Sequence, residues 1–120
     1  MPSKTTPLAD EHCVAVTKAS KRIADAARAD LLKQIPGWQI QTRDGIERLE
    51  RQFRFADFAK ALAFTNRVGE IADAQDHHPA ILTEWGRVTV GWWTHVVTGL
   101  HRNDFVMAAK TDGVYAVTMS

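Results

Sequence analysis

Three of the five histidines of this chain, His77, His78 and His95, fall within a stretch of nineteen residues, with Asp73 just before it and Asp104 just after. Imidazole titrates near neutrality, so such a cluster can donate and accept protons at cellular pH. The segment between His78 and His95 reads as a β-hairpin turning at Trp85-Gly86. Antiparallel pairing about that turn matches residues whose numbers sum to about 171. That sets His77 and His78 opposite Thr94 and Trp93, one step from His95. Three arrangements fit: hydrogen-bonded histidines closing a hairpin, a metal site, and metal-free acid–base catalysis. Adjacent residues of an extended segment point apart, so His77 and His78 are poorly placed to share one ion. Diverging imidazoles suit a reaction that needs a proton at one point and a base at another. Asp73 lies four residues before His77; if the helix continues that far, the two share a face and the carboxylate favours the His77 imidazolium.

The elements that must position these residues are legible in the hydrophobic spacing. From Lys21, the residues Ile23, Ala26, Ala27, Leu31 and Leu32 recur at helical spacing, and Pro36-Gly37 ends that helix. Trp38 and Ile40 open a short strand, and Arg43-Asp44-Gly45 carries turn chemistry. A second strand puts Leu49, Arg51, Phe53 and Phe55 on one face, with Arg51 at its rim. Asp57 is placed as the N-cap of a second helix, along which Phe58, Leu62, Thr65, Val68, Ile71 and Ala72 keep helical spacing as far as Pro79. Strands Ala80–Glu84 and Arg87–His95 form the hairpin, with Val88, Val90 and Trp92 facing one way and Thr89, Gly91, Trp93 and His95 the other. A third helix is predicted from Arg102 to Lys110, stopped by Asp112-Gly113, with an apolar tail, Val114 to Met119, that has no assigned place. The order α-β-β-α-β-β-α predicts an α+β fold: a four-stranded antiparallel sheet with helices packed on one face.

The bulk properties set limits. The 120 residues make one domain, read as a mobile tail over 1–20 and a single folded unit over 21–120. A net charge of +1 gives no electrostatic case for nucleic acid or an anionic membrane surface. A lone cysteine, Cys13, excludes an internal disulfide and a thiolate metal cluster, and His12-Cys13 reads as an exposed, inert pair. No signal-peptide or membrane-spanning run is present, so a cytoplasmic protein is expected.

Taken as one spaced pattern, Asp73, His77-His78-Pro79, Trp85, His95 and Asp104 resemble the pterin-4a-carbinolamine dehydratases. The likeness runs from about Asp30 to Thr111 and includes Ile35-Pro36-Gly37-Trp38. Its segments Leu62-Ala63-Phe64-Thr65-Asn66 and Trp85 to Val90 look like the bacterial branch that accompanies phenylalanine hydroxylase. The resemblance implies dehydration of 4a-hydroxytetrahydrobiopterin to the quinonoid dihydropterin, recycling the cofactor of an aromatic amino acid hydroxylase. It implies His77 and His95 as acid and base, His78 orienting the pterin, and Pro79 with the Thr94, His95, Val96 and Val97 backbone lining the pocket. Asp73 and Asp104 are supporting carboxylates; for Asp104 the capping argument favours a structural role in the first turn of the third helix. Family members often carry serine where His101 stands, which puts that cap in question and leaves His101 read as a surface residue. Of the tryptophans, Trp85 reads as a packing residue of the turn, Trp92 as core, and Trp93 as the one near the pocket. No metal and no organic cofactor is implied, and a homo-oligomer, dimer or tetramer, is expected. Two alternatives stand beside this reading: a protein-binding module, since animal relatives also serve as dimerisation partners of a homeodomain transcription factor, and a dehydratase for another pterin, such as one of molybdopterin metabolism.

Overall fold

A computed structural model describes residues 7–119. Helix α1 (Asp25–Lys33) leads to strands β1 (Gln39–Arg43) and β2 (Ile46–Arg54), helix α2 (Phe58–Gln75), strands β3 (Ala80–Glu84) and β4 (Arg87–Trp92), and helix α3 (Arg102–Met119). The four strands form one antiparallel sheet in the order β1-β2-β4-β3. This is the expected α+β architecture and element order. The β3–β4 pairs, Ala80↔Gly91 through Glu84↔Arg87, have the expected sum of 171. At the first hairpin Asp44 and Gly45 both take positive φ, 53° and 78°, which closes a two-residue turn between Arg43 and Ile46.

The alternation along the strands decides which face is covered. Leu49, Phe53, Val88, Val90 and Trp92 are all buried, and α2 and α3 lie on them. Arg51 shares that face at its rim, as expected, because its guanidinium pairs with Asp112 at 2.7 Å and lies 4.5 Å over the Phe53 ring.

Several boundaries differ from the sequence reading. Helix α1 starts at Asp25 rather than Lys21, because the Ile23 N–H donates to Leu100 O at 2.8 Å and Ala24 stays extended. The buried stripe of α2 is Ala61, Phe64, Val68 and Ala72, whereas Phe58 and Leu62 are exposed. Strand β4 ends at Trp92; a 3-10 turn over His95–Val97 follows, so His95 is not a strand residue. Helix α3 runs through Gly113 to Met119. A glycine there costs about 1 kcal/mol of helix propensity, but Asp112 is held by Arg51 and by the Trp38 indole N–H, and Tyr115 packs on Phe53, Phe55 and Phe64. Trp85 is 71% exposed and does not pack as expected.

Of the segment read as a tail, Met1 to Thr6 lie outside the described residues, and the rest is held at definite points. Leu8 joins the core; the Asn103 side chain accepts from Val14 N–H at 3.0 Å and donates to Val14 O at 2.8 Å. Glu11 pairs with Arg102 at 2.7 Å. Cys13 is half-buried rather than exposed, and burial, followed by the Asp104 charge, pushes its thiol up to about 11, which leaves it a poor nucleophile at neutral pH.

Candidate active site

The end of α2 separates the two adjacent histidines. Asp76 takes a left-handed conformation at φ 51°. The His77 N–H donates to Ala72 O at 3.1 Å and the Asp76 N–H donates to Asp73 O at 3.2 Å, the bond pair of a Schellman cap. The chain therefore leaves the helix before His77. The expected pairing of Asp73 with His77 does not form; Asp73 Oδ1 instead lies 2.9 Å from His78 Nε2, on the exposed side. His77 turns inward, is 6% exposed, and stacks on Trp92 with ring centroids 5.9 Å apart and planes 10° off parallel.

Inside, His77 meets Asp104. His77 Nε2 lies 2.6 Å from Asp104 Oδ1, and Asp104 Oδ2 accepts from the Thr94 hydroxyl and the His101 N–H, each at 2.9 Å. Asp104 is fully buried in the first turn of α3, so its carboxylate serves the helix start and the histidine together. A carboxylate only accepts, so the neutral His77 carries its proton on Nε2 and keeps Nδ1 as the free lone pair. His77 also lines a cavity of about 280 Å³ with Cys13, Val14, Ala15, Val16, Gln75, Asp76 and Asn103.

The second half of the site comes from the turn after β4. Because β3 and β4 pair up to Ala80↔Gly91, His77-His78-Pro79 and Trp93-Thr94-His95 continue from the same end of the hairpin. Thr94 reaches Asp104 through its side chain, a contact the sequence reading did not foresee, having placed only its backbone at the site. His95 is exposed, and its ring lies 5.0 Å from that of Trp93. The turn is fixed from outside by Arg22, which donates from Nε to Val97 O at 2.8 Å and from Nη2 to the Thr98 hydroxyl at 2.9 Å. Pro79 is half-buried, Val96 exposed and Val97 buried. Among the described residues, no group of three or more His, Cys, Asp or Glu side chains could hold a metal ion.

His101 is not the surface residue expected. Its Nδ1 accepts from the Asn103 N–H at 3.0 Å, so the ring itself caps α3 where serine was looked for. Burial holds the imidazole below its ordinary value of 6.5; the neighbouring Asp104 charge works against this and His77 adds to it. A histidine depressed in the folded state contributes stability that is whole above its unfolded value and is lost as pH falls through the folded one. His101→Asn supplies a cap that does not titrate in this range. Urea unfolding midpoints between pH 8 and 5 are expected to fall less steeply for this variant than for wild type.

The comparisons converge on one assignment. Residues 21–114 match the family described as pterin 4 alpha carbinolamine dehydratase. The chain belongs to this family. Family membership makes it a dehydratase, a hydro-lyase. A protein of Gloeobacter violaceus to which pterin-4-alpha-carbinolamine dehydratase activity is provisionally assigned is 57% identical over 109 residues, covering 91% of this chain and 94% of that protein. The crystal structure of a transcriptional coactivator/pterin dehydratase from Brucella melitensis superposes with a TM-score of 0.70 at 32% identity, covering 78% of this chain and 98% of that one. A pterin dehydratase-like protein identified as a RuBisCO assembly factor in the alpha-carboxysome superposes at 0.56 with 20% identity, over 66% of this chain and 89% of that one. That last likeness is one of fold.

Proposed function

We propose that this dehydratase acts on 4a-hydroxytetrahydropterin by metal-free histidine catalysis, with His77 and His95 as the proton-transfer pair. The observation that carries this reading is the buried Asp104–His77 bond at 2.6 Å, which leaves Nδ1 of His77 as its free lone pair, while the same carboxylate holds Thr94, the residue before His95. The reaction breaks the C4a–O bond. A nitrogen lone pair of the reduced ring expels the oxygen, the leaving hydroxyl takes a proton to depart as water, and the ring gives up a proton to become the quinonoid dihydropterin. His77, with Nδ1 unprotonated, takes the ring proton; His95, free to turn in solvent, delivers the proton to the hydroxyl. Each such group contributes about 10²–10⁴-fold. His78 orients the pterin, and its bond to Asp73 steadies it. Pro79, Thr94, Val96 and Val97 complete the walls.

In the cell this reading makes the chain a cytoplasmic recycler of the cofactor of an aromatic amino acid hydroxylase such as phenylalanine hydroxylase. β3 is an edge strand of the sheet, and an open edge suits a homodimer or homotetramer. No helix among the described residues is long and apolar enough to cross a membrane.

The test is the rate of dehydration of synthetic 4a-hydroxytetrahydropterin, followed by absorbance on chelator-treated protein. Acceleration that survives chelation and falls at least about 10³-fold in His77→Ala/His95→Ala is expected. Folded wild-type protein that does not exceed the buffer rate refutes the reading.

A further inference from the structure

The space beside His77 is walled by a segment that has no part in the proton transfers. Residues 11–16 lie before the family-matched stretch, which begins at residue 21. They form a strap of irregular backbone, and Cys13, Val14, Ala15 and Val16 line the cavity of about 280 Å³ that His77 also lines. That volume is close to the lower end of the range for small-ligand pockets, about 300 Å³. His77 is nearly buried, so a ring that gives it a proton has to enter space bordered by its neighbours, and the strap borders it. Burial does not hold the strap here, since Val14 is 63% exposed and His12 is exposed. Polar bonds hold it. The buried Asn103 amide accepts the Val14 N–H at 3.0 Å and donates to Val14 O at 2.8 Å, and Gln75 Oε1 accepts the Cys13 N–H at 2.8 Å. Both partners adjoin the residues that set His77. Asn103 precedes Asp104 in the first turn of α3, and Gln75 is the last residue of α2, two before His77. The same two helix ends therefore fix the imidazole and the strap that share the cavity.

We propose that residues 11–16 are a wall of the pocket that receives the reduced pterin ring, and that Asn103 is a positioning residue that sets this wall through Val14. The inference rests on the dehydratase reading above, in which His77 takes the ring proton. A ring seated against the strap has its approach to the imidazole limited on that side. The strap touches the ring alike in ground and transition states, so its release raises KM and leaves kcat in place. A strap latched in only about a tenth of the molecules weakens apparent binding about 10-fold.

The experiment has two arms. In the first, kcat and KM for the synthetic carbinolamine are measured in two variants. Asn103→Leu keeps the volume of the amide and removes both bonds to Val14; Gln75→Leu removes the bond to Cys13. KM is expected to rise about 10-fold in the first and about 3-fold in the second, with kcat within about 2-fold of wild type. Gln75→Leu carries the readouts alone if the buried Asn103→Leu variant does not fold. In the second arm Cys13, the sole cysteine, reports on the strap: iodoacetamide adds to it once, and mass spectrometry follows the rate. Both variants are expected to speed this alkylation. A stable 7,8-dihydropterin, which has no 4a-hydroxyl to lose, is expected to slow it in wild type, by about 10-fold at about ten times its Kd. A rise in KM without faster alkylation, faster alkylation with KM unchanged, a fall in kcat without a rise in KM, or a wild-type Cys13 that the dihydropterin leaves unprotected overturns the wall and leaves the dehydratase reading in place. Protection needs binding and no turnover, so wild-type protein that is protected yet accelerates no dehydration overturns the dehydratase reading and keeps the wall.

Discussion

Asp104→Asn is expected to lower the dehydration rate by about 10²–10⁴-fold while the protein still folds. The buried carboxylate accepts three bonds, one at Oδ1 from His77 and two at Oδ2 from Thr94 and the His101 N–H. An amide has one accepting end. Placing its oxygen on the side with two donors keeps both of those bonds and turns the NH2 toward His77 Nε2. That nitrogen must then accept, which moves the imidazole proton to Nδ1 and removes the lone pair assigned to the ring proton. The ring stays in place in the wrong tautomer. Loss of a charged acceptor from a buried network is expected to cost about 1–3 kcal/mol of stability. Urea unfolding reads the second effect, stopped-flow absorbance the first, and imidazole nitrogen shifts the tautomer. An unchanged rate in a variant with the shifted tautomer removes His77 Nδ1 from the chemistry.

The largest effect on stability is expected at Trp92. Its side chain is fully buried, it carries the His77 ring on its face, and its indole N–H donates to the Thr111 hydroxyl at 3.2 Å. Trp92→Ala removes that volume from the centre of the covered face and is expected to cost about 3–5 kcal/mol, a large share of the 5–15 kcal/mol typical of a domain. Trp92→Phe is the informative companion. It keeps a ring under His77 and gives up one hydrogen bond, worth about 1 kcal/mol. Thr111 is not stranded, since its hydroxyl also donates to Met107 O at 2.7 Å. Chemical-denaturation midpoints should rank wild type, Trp92→Phe and Trp92→Ala in that order; a Phe variant as weak as Ala would show that the indole bond, not the volume, holds this region.

What the sequence made legible followed local rules. The second hairpin is determined by alternation and a two-residue turn, so its register follows from residue numbers alone. The Asp57 cap is likewise a local matter, and its carboxylate accepts the Lys60 N–H at 2.9 Å. The misread features are those that distant contacts decide. Asp112-Gly113 has the chemistry of a helix stop, yet Arg51 and Trp38, from more than sixty residues away, hold Asp112 inside the helix. Asp73 pairs with His78 rather than His77 because the left-handed Asp76 turns the chain out of the helix before both histidines, a geometry their spacing does not carry. Spacing picks out the histidine cluster, and the family resemblance implies Pro79, the Thr94 to Val97 backbone and Asp104, but that Asp104 binds His77 depends on how α3 docks, and spacing along a chain does not encode that. Asn103, which ties Val14 down beside the cavity, carried no signal in its type or position.

The three donors gathered by Asp104 lie 27, 10 and 3 positions away along the chain. The separations rank the bonds by the length of chain each must close. The bond from His101 can form inside a single nascent turn of helix, the one from Thr94 requires the loop before α3 to close, and the one from His77 requires the end of α2 to meet α3 across the hairpin. A chain that has collapsed and formed its helices but not joined those ends has every residue of the site and no positioned imidazole. Regained turnover during refolding is therefore expected to appear no earlier than the His77 bond, which closes the longest loop of the three.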